Sequence, residues 1–132
     1  MTPRFDLIGI VTADLAGSLA FYRRLGLAVP PDADAQPHVE LALPGGLRLA
    51  WDTEATVRSF DEAWVPPAGG HRIALAFACE TPAEVDATFD ALVASGATAH
   101  RAPWDAFWGQ RYAVVLDPDG NHAELFAPLE VS

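Results

Sequence analysis

Residues 5–11, Phe-Asp-Leu-Ile-Gly-Ile-Val, alternate and are rich in β-branched side chains, the pattern of a half-buried strand. The next segment, TADLAGSLAFYRRLGL, changes period. Leu15, Leu19, Tyr22 and Leu25 recur at helical spacing, Asp14 or Thr12 can cap the start, and Gly26 suits a left-handed stop. After the Pro- and Asp-rich stretch VPPDADAQP, alternation returns over 38–44 and 47–53, and Pro44-Gly45-Gly46 joins these two strands into a hairpin.

A second irregular stretch, VPPAGG, precedes the same order again. Residues 72–78 read as a strand. The following helix has Thr81 as its cap, Pro82 in the first turn, Glu84 closing a capping box and Gly96 at its end. Its apolar stripe is Val85, Phe89, Leu92 and Val93. Strands over 110–116 and 121–127 follow, joined by Asp117-Pro118-Asp119-Gly120, a combination suited to a tight turn. The chain is therefore two copies of strand–helix–strands, each expected to lay a helix on one sheet face and leave the other uncovered. Two such sheets side by side would make a cup with a pocket inside it.

The 132 residues suit one domain, with module one at about 1–60, a linker at 61–70 and module two at about 71–128. No apolar run is long enough to span a bilayer, MTPRFD has no signal-peptide core, and the single Cys79 excludes an internal disulfide. A cytoplasmic protein without a membrane partner is expected. The net charge of −10 argues against nucleic acid and leaves room for a cationic small molecule. Cys79 has no basic neighbour in sequence and reads as a small packed residue.

Two stretches carry a family resemblance. FDLIGIVTADLAGSLAFYRRLGL resembles the opening strand and helix of the vicinal oxygen chelate superfamily, and GQRYAVVLDPDGNHAELFAP is similar to its closing hairpin, DPDG turn included. The superfamily includes glyoxalase I, extradiol dioxygenases, fosfomycin-modifying enzymes and bleomycin-resistance binding proteins. The resemblance implies an α+β fold of two βαβββ modules, cup-shaped mixed sheets with helices outside, and a homodimer with pockets at the interface. In metal-dependent members four side chains converge in the cup. The resemblance maps these to Leu7, Arg48, Arg72 (or His71 if the strand shifts by one) and Glu124.

Only Glu124 keeps a ligating group, because leucine offers no lone pair and a guanidinium repels a divalent cation. No metal or other cofactor is therefore expected; a substitute set of His71, His122 and Glu124 is the alternative. Glu124 then needs a positive partner, for which Arg48 or Arg72 is the candidate. Strand alternation puts His122 and Phe126 beside Glu124, and Ala50 and Asp52 beside Arg48. The stretch PWDAFWGQRY brings Trp104, Phe107, Trp108 and Tyr112 near the same strands, as ligand-stacking rings or as a dimer interface. Trp64 would close the opposite rim, and His38 begins a strand on the cup; His100 is expected in solvent.

Three function classes remain. The preferred one is a metal-free protein that binds, rather than transforms, a planar or cationic small molecule, sequestering an antibiotic or similar aromatic natural product and so conferring resistance. The alternatives are a glyoxalase-like metal-dependent lyase, isomerase or dioxygenase, and a metal-free enzyme using Glu124 or His122 as base.

Overall fold

The computed structural model describes residues 1–129. The chain divides into two compact units, Met1–Ala68 and Gly69 onward.

In the first unit, strand β1 (Leu7–Thr12) leads into helix α1 (Leu15–Arg24), and strands β2 (His38–Ala42) and β3 (Arg48–Thr53) follow. The sheet order is β1-β3-β2, with β1 parallel and β2 antiparallel to β3. Asp14 is the cap of α1, its Oδ1 accepting from the Gly17 amide at 3.1 Å, as the sequence pattern anticipates. The buried side of α1 consists of Leu15, Ser18, Leu19, Phe21 and Tyr22. Tyr22 meets the fully buried Trp51 of β3 edge-on at 5.7 Å, which ties the helix to the sheet.

The second unit contains all five elements of a βαβββ module: β4 (Ala74–Ala78), α3 (Pro82–Ala94), β5 (Thr98–Ala106), β6 (Gln110–Leu116) and β7 (His122–Pro128). The sheet order is β4-β7-β6-β5, parallel between β4 and β7 and antiparallel elsewhere. Thr81 Oγ1 accepts from the Glu84 amide at 3.2 Å, while the Glu84 carboxylate reaches the Glu80 amide at 2.7 Å. Helix α3 packs on β5, β6 and β7, burying Val85, Phe89 and Leu92 over Ala113, Val115, Ala123 and Leu125. In the Asp117–Gly120 turn the Asp117 carboxylate accepts from the amides of Asp119 and Asn121, and Gly120 takes the positive φ of 86° that the turn requires.

Several expectations need correction. The aromatic stretch, which the pattern leaves without an element before the strand expected from 110, is a hairpin: β5 extends to Ala106, and Phe107–Gly109 turn the chain into β6. Strand β5 escapes pattern reading because it contains Pro103 and sets Thr98, His100, Arg101 and Asp105 among small alanines without strict alternation, both tolerated at a sheet edge, and its pairing with β6 slips between Ala99 and Arg101 and again before Trp104. In the first unit the segment after α1 is a short 3-10 turn, Pro31–Ala35, where proline supplies no ladder donor. A five-residue helix α2 (Glu54–Arg58), capped by Thr53, is also unanticipated. Strands β1 and β4 begin two residues later than the alternation indicates, so Phe5 and Arg72 lie outside them and are exposed. Val93 and Leu25 fall at the margin of their stripes and are not buried. No helix among the described residues is long and apolar enough to cross a membrane.

Candidate functional site

Each sheet has one face away from its helix, and the expected site residues lie on or beside these two faces. On the first, cross-strand register aligns Leu7 with Arg48, Gly9 with Ala50, and Asp52 with both Val11 and His38. A chain of ion pairs runs across it. Arg48 donates to Asp6 at 2.5 Å and also to Glu40; Glu40 meets His38 Nε2 at 2.7 Å; His38 Nδ1 meets Asp52 at 2.5 Å. Glu40 and Asp52 together hold the His38 imidazolium above its ordinary pKa, outweighing burial, and Arg48 holds the Asp6 carboxyl below its own. Five side chains thus saturate one another. Trp64, in the same unit, has the Arg58 guanidinium 5.1 Å from its ring centre.

The second face is built differently. Pairing places Ala74, Ala76 and Ala78 of β4 opposite His122, Glu124 and Phe126 of β7, with Leu116, Val114 and Tyr112 of β6 on the other side. The Tyr112 phenol lies beside Glu124, and burial together with that carboxylate pushes the phenol up to about 12. At one end of the face three imidazoles gather: His71 stacks on His122 at 3.4 Å, and His100 lies 4.5 Å from it. Burial, then the neighbouring His71 and His100, hold His122 below its ordinary pKa against the pull of Glu124.

At the other end are the rings of the β5–β6 hairpin. Trp104 is paired with Tyr112 in register, and Trp108 stands edge-on to both, at 5.5 and 5.2 Å. Phe107 completes the group 4.9 Å from Trp108 and is 90% exposed. The Trp108 indole donates to Gln110 Oε1 at 2.8 Å, which fixes the ring's orientation. On the helix side of the same strands, Arg111 is held by Asp86 and Asp105, so its charge is neutralised away from the open face.

The anticipated guanidinium partner of Glu124 is not seen within this unit. Arg72 makes no ion pair among the described residues, and Arg48 is engaged by Asp6 and Glu40 in the first unit; Glu124 has the Tyr112 phenol and the His122 imidazole beside it instead. Sequence reasoning overlooked Asp6 and Glu40, whose role depends on strand register, and Arg101, which sits on the unrecognised β5. It placed His100 in solvent; the residue is exposed, but its ring belongs to the imidazole group. Burial and the nearby Glu84 raise the Cys79 thiol pKa, and the residue is half-buried, in keeping with a packing role.

Comparison with known proteins gives this geometry a family. A model of the Glyoxalase/Bleomycin resistance protein/Dioxygenase superfamily matches residues 4–125, and the chain belongs to that superfamily. Among solved structures, it resembles a family enzyme from Burkholderia phytofirmans with a TM-score of 0.80 at 23% identity, covering 96% of this chain and 100% of that one. A glyoxalase/bleomycin resistance protein/dioxygenase from Nocardioides has a TM-score of 0.74 at 26% identity, over 100% of this chain and 87% of its own. An uncharacterized protein of Mycobacterium bovis is 45% identical over 49 residues, which span 37% of this chain and 32% of the relative.

The metal used by some members of the family can be tested against the residues present here. Leu7 has no donor, and the guanidinium of Arg48 brings positive charge to a position that would need a lone pair. His71 and His122 stack with 18° between their planes, so their in-plane lone pairs run side by side instead of converging on one ion. Among the described residues no group of three or more His, Cys, Asp or Glu side chains could hold a metal ion. These residues do not fit a family-type metal centre.

Proposed function

We propose that this protein binds a planar aromatic small molecule on the open face of its second sheet, sequestering an antibiotic or similar natural product without metal chemistry. The observation that carries the reading is the Trp104–Phe107–Trp108–Tyr112 group. It is a set of large rings, partly exposed, oriented edge-to-face, and continuous with a polar dyad, Tyr112–Glu124, on the same surface. Exposed aromatic clusters of this kind contribute stacking at about 0.5–1.5 kcal/mol per well-placed ring pair beyond the burial itself. Membership of a superfamily that includes bleomycin resistance proteins supports the reading.

The test is calorimetric titration with a panel of planar aromatic antibiotics, alongside elemental analysis of protein purified without chelator. Saturable binding that weakens about tenfold in Trp108→Ala is the expected result. Stoichiometric transition metal would overturn the metal-free reading, and turnover of a bound compound would overturn sequestration.

One observation favours a second reading. His122 is held toward its neutral form and lies next to Glu124 in strand alternation, so it is available as a proton acceptor near pH 7. A metal-free enzyme with His122 or Glu124 as base would show turnover that is lost in His122→Gln or Glu124→Gln.

A further inference from the structure

The chain has no lysine, and its positive charge rests on eight arginines against eighteen acids. In such a chain a guanidinium easily finds a carboxylate, and Arg4, Arg23, Arg48, Arg58 and Arg111 all do. Arg101 does not. It lies on edge strand β5, exposed, with its guanidinium 4.4 Å from the ring centre of Trp104. A cation resting on an aromatic face keeps its N–H donors available at the edge of the guanidinium plane.

Directly beneath is a second unmet donor. The indole Nε1 of Trp104 is shielded from solvent and has no hydrogen-bond acceptor among the described residues. A buried N–H without an acceptor is unfavourable by the full cost of its lost hydration. The side chains packed against Trp104 lie at the surface: exposed Arg101, and Phe107 and Trp108 at the hairpin tip. Displacing Arg101 or Phe107 would open the indole N–H to an acceptor carried by a ligand. The neighbouring indole of Trp108 already has its acceptor in Gln110, and the other unpartnered buried polar atoms, Ser18 Oγ and Trp51 Nε1, belong to fully buried side chains of the first unit, so at the hairpin the deficit falls on Trp104.

From these two donors we infer that the aromatic site proposed above recognises an anionic ligand: a planar aromatic carboxylate, its ring against Trp108 and Phe107, its carboxylate received by Arg101 and Trp104 Nε1. The inference rests on the binding reading of that face and specifies its charge preference. The protein's overall negative charge opposes an anion only weakly at this spot. Glu124 on β7 is two strand spacings from β5, about 10 Å, close to the screening length at physiological salt. The Asp86 and Asp105 carboxylates are engaged by Arg111.

The experiment compares three probes with one ring system: 2-naphthoate, neutral 2-naphthalenemethanol and cationic 2-naphthylmethylammonium, titrated into the whole protein by calorimetry. The expected result is naphthoate binding about tenfold more tightly than the other two, as a charge-assisted pair of hydrogen bonds implies. Its affinity should fall with added salt while that of the alcohol holds. In Arg101→Gln the preference should shrink to about threefold or less with the alcohol's affinity retained. Trp104→Phe, which keeps the ring and removes the N–H, should reduce the preference in part. In the wild-type protein, the indole proton resonance of Trp104 should move downfield on adding naphthoate. That measurement stands even if a variant fails to fold. Binding of all three probes with equal affinity, or with the ammonium favoured, overturns the anionic preference and leaves the aromatic site intact. Failure of all three to bind overturns the site reading itself.

Discussion

The open faces of the two sheets come from the same strand–helix–strands plan, yet one is electrostatically closed and the other is not. Across the first, Asp6, Arg48, Glu40, His38 and Asp52 form an unbroken row in which each acid faces a base. Across the second, among the described residues, Glu124 makes no ion pair with an arginine, His122 is crowded by two other imidazoles, Arg101 lies on a ring and the Trp104 indole lacks an acceptor. Partners made at home leave little for a ligand to add, so the closed row reads as scaffold. Unmet donors and exposed rings are what a ligand can complete, so the second face is the better candidate for function.

The sharpest way to break this contrast is to compare the two sides of the second sheet. Leu125, fully buried under α3, should cost about 2–5 kcal/mol of stability when replaced by alanine. Phe107→Ala, at the exposed hairpin tip, should stay within about 0.5 kcal/mol. Urea denaturation of both variants decides it. A large loss in Phe107→Ala would make the hairpin rings part of the core and remove the reason to assign them a ligand.

A second comparison sets one face against the other by binding. Trp108→Ala should weaken an aromatic ligand about tenfold with little change in unfolding midpoint. Arg48→Gln, on the closed row, should change affinity by less than about threefold while perturbing its acidic neighbours. If Arg48→Gln abolishes binding and Trp108→Ala does not, the assignment of scaffold and site is reversed.

What pattern reading recovered follows the range of the physics involved. The Asp14 and Thr81 caps, the Gly26 and Gly96 stops and the Asp117–Gly120 turn are contacts within a few residues, and alternation alone grouped His122 and Phe126 with Glu124, on the face opposite the buried Ala123 and Leu125. Strand β5 was hidden because its edge position relaxes the rules that make strands visible: Pro103 needs no donor there, and slips in register disrupt the period. The ion-pair row was hidden for another reason. Asp6 and Arg48 are 42 residues apart, and nothing local says that they share a sheet. The orphaned indole of Trp104 is likewise a property of packing, since sequence shows the ring but not whether its nitrogen finds an acceptor.

The smallest effects are those of pH, and they should have opposite signs on the two faces. Glu40 and Asp52 raise the folded-state pKa of His38 above its unfolded value near 6.5. Its contribution is therefore fully present below about pH 6.5 and fades as pH rises through the folded value. Burial and two imidazole neighbours lower that of His122, so the unfolded chain takes up this proton more readily. Stability is then lost as pH falls through about 6.5 toward the folded value. Thermal unfolding at about pH 5.5 and 8.5 separates the two. His38→Gln should be less stable than wild type at the acid pH and approach it at the alkaline one. His122→Gln should gain on wild type at the acid pH and match it at the alkaline one. Imidazole proton resonances followed through the same range should place one titration above 6.5 and the other below. Two histidines shifted in the same direction would mean that the faces do not differ in the way their partners indicate.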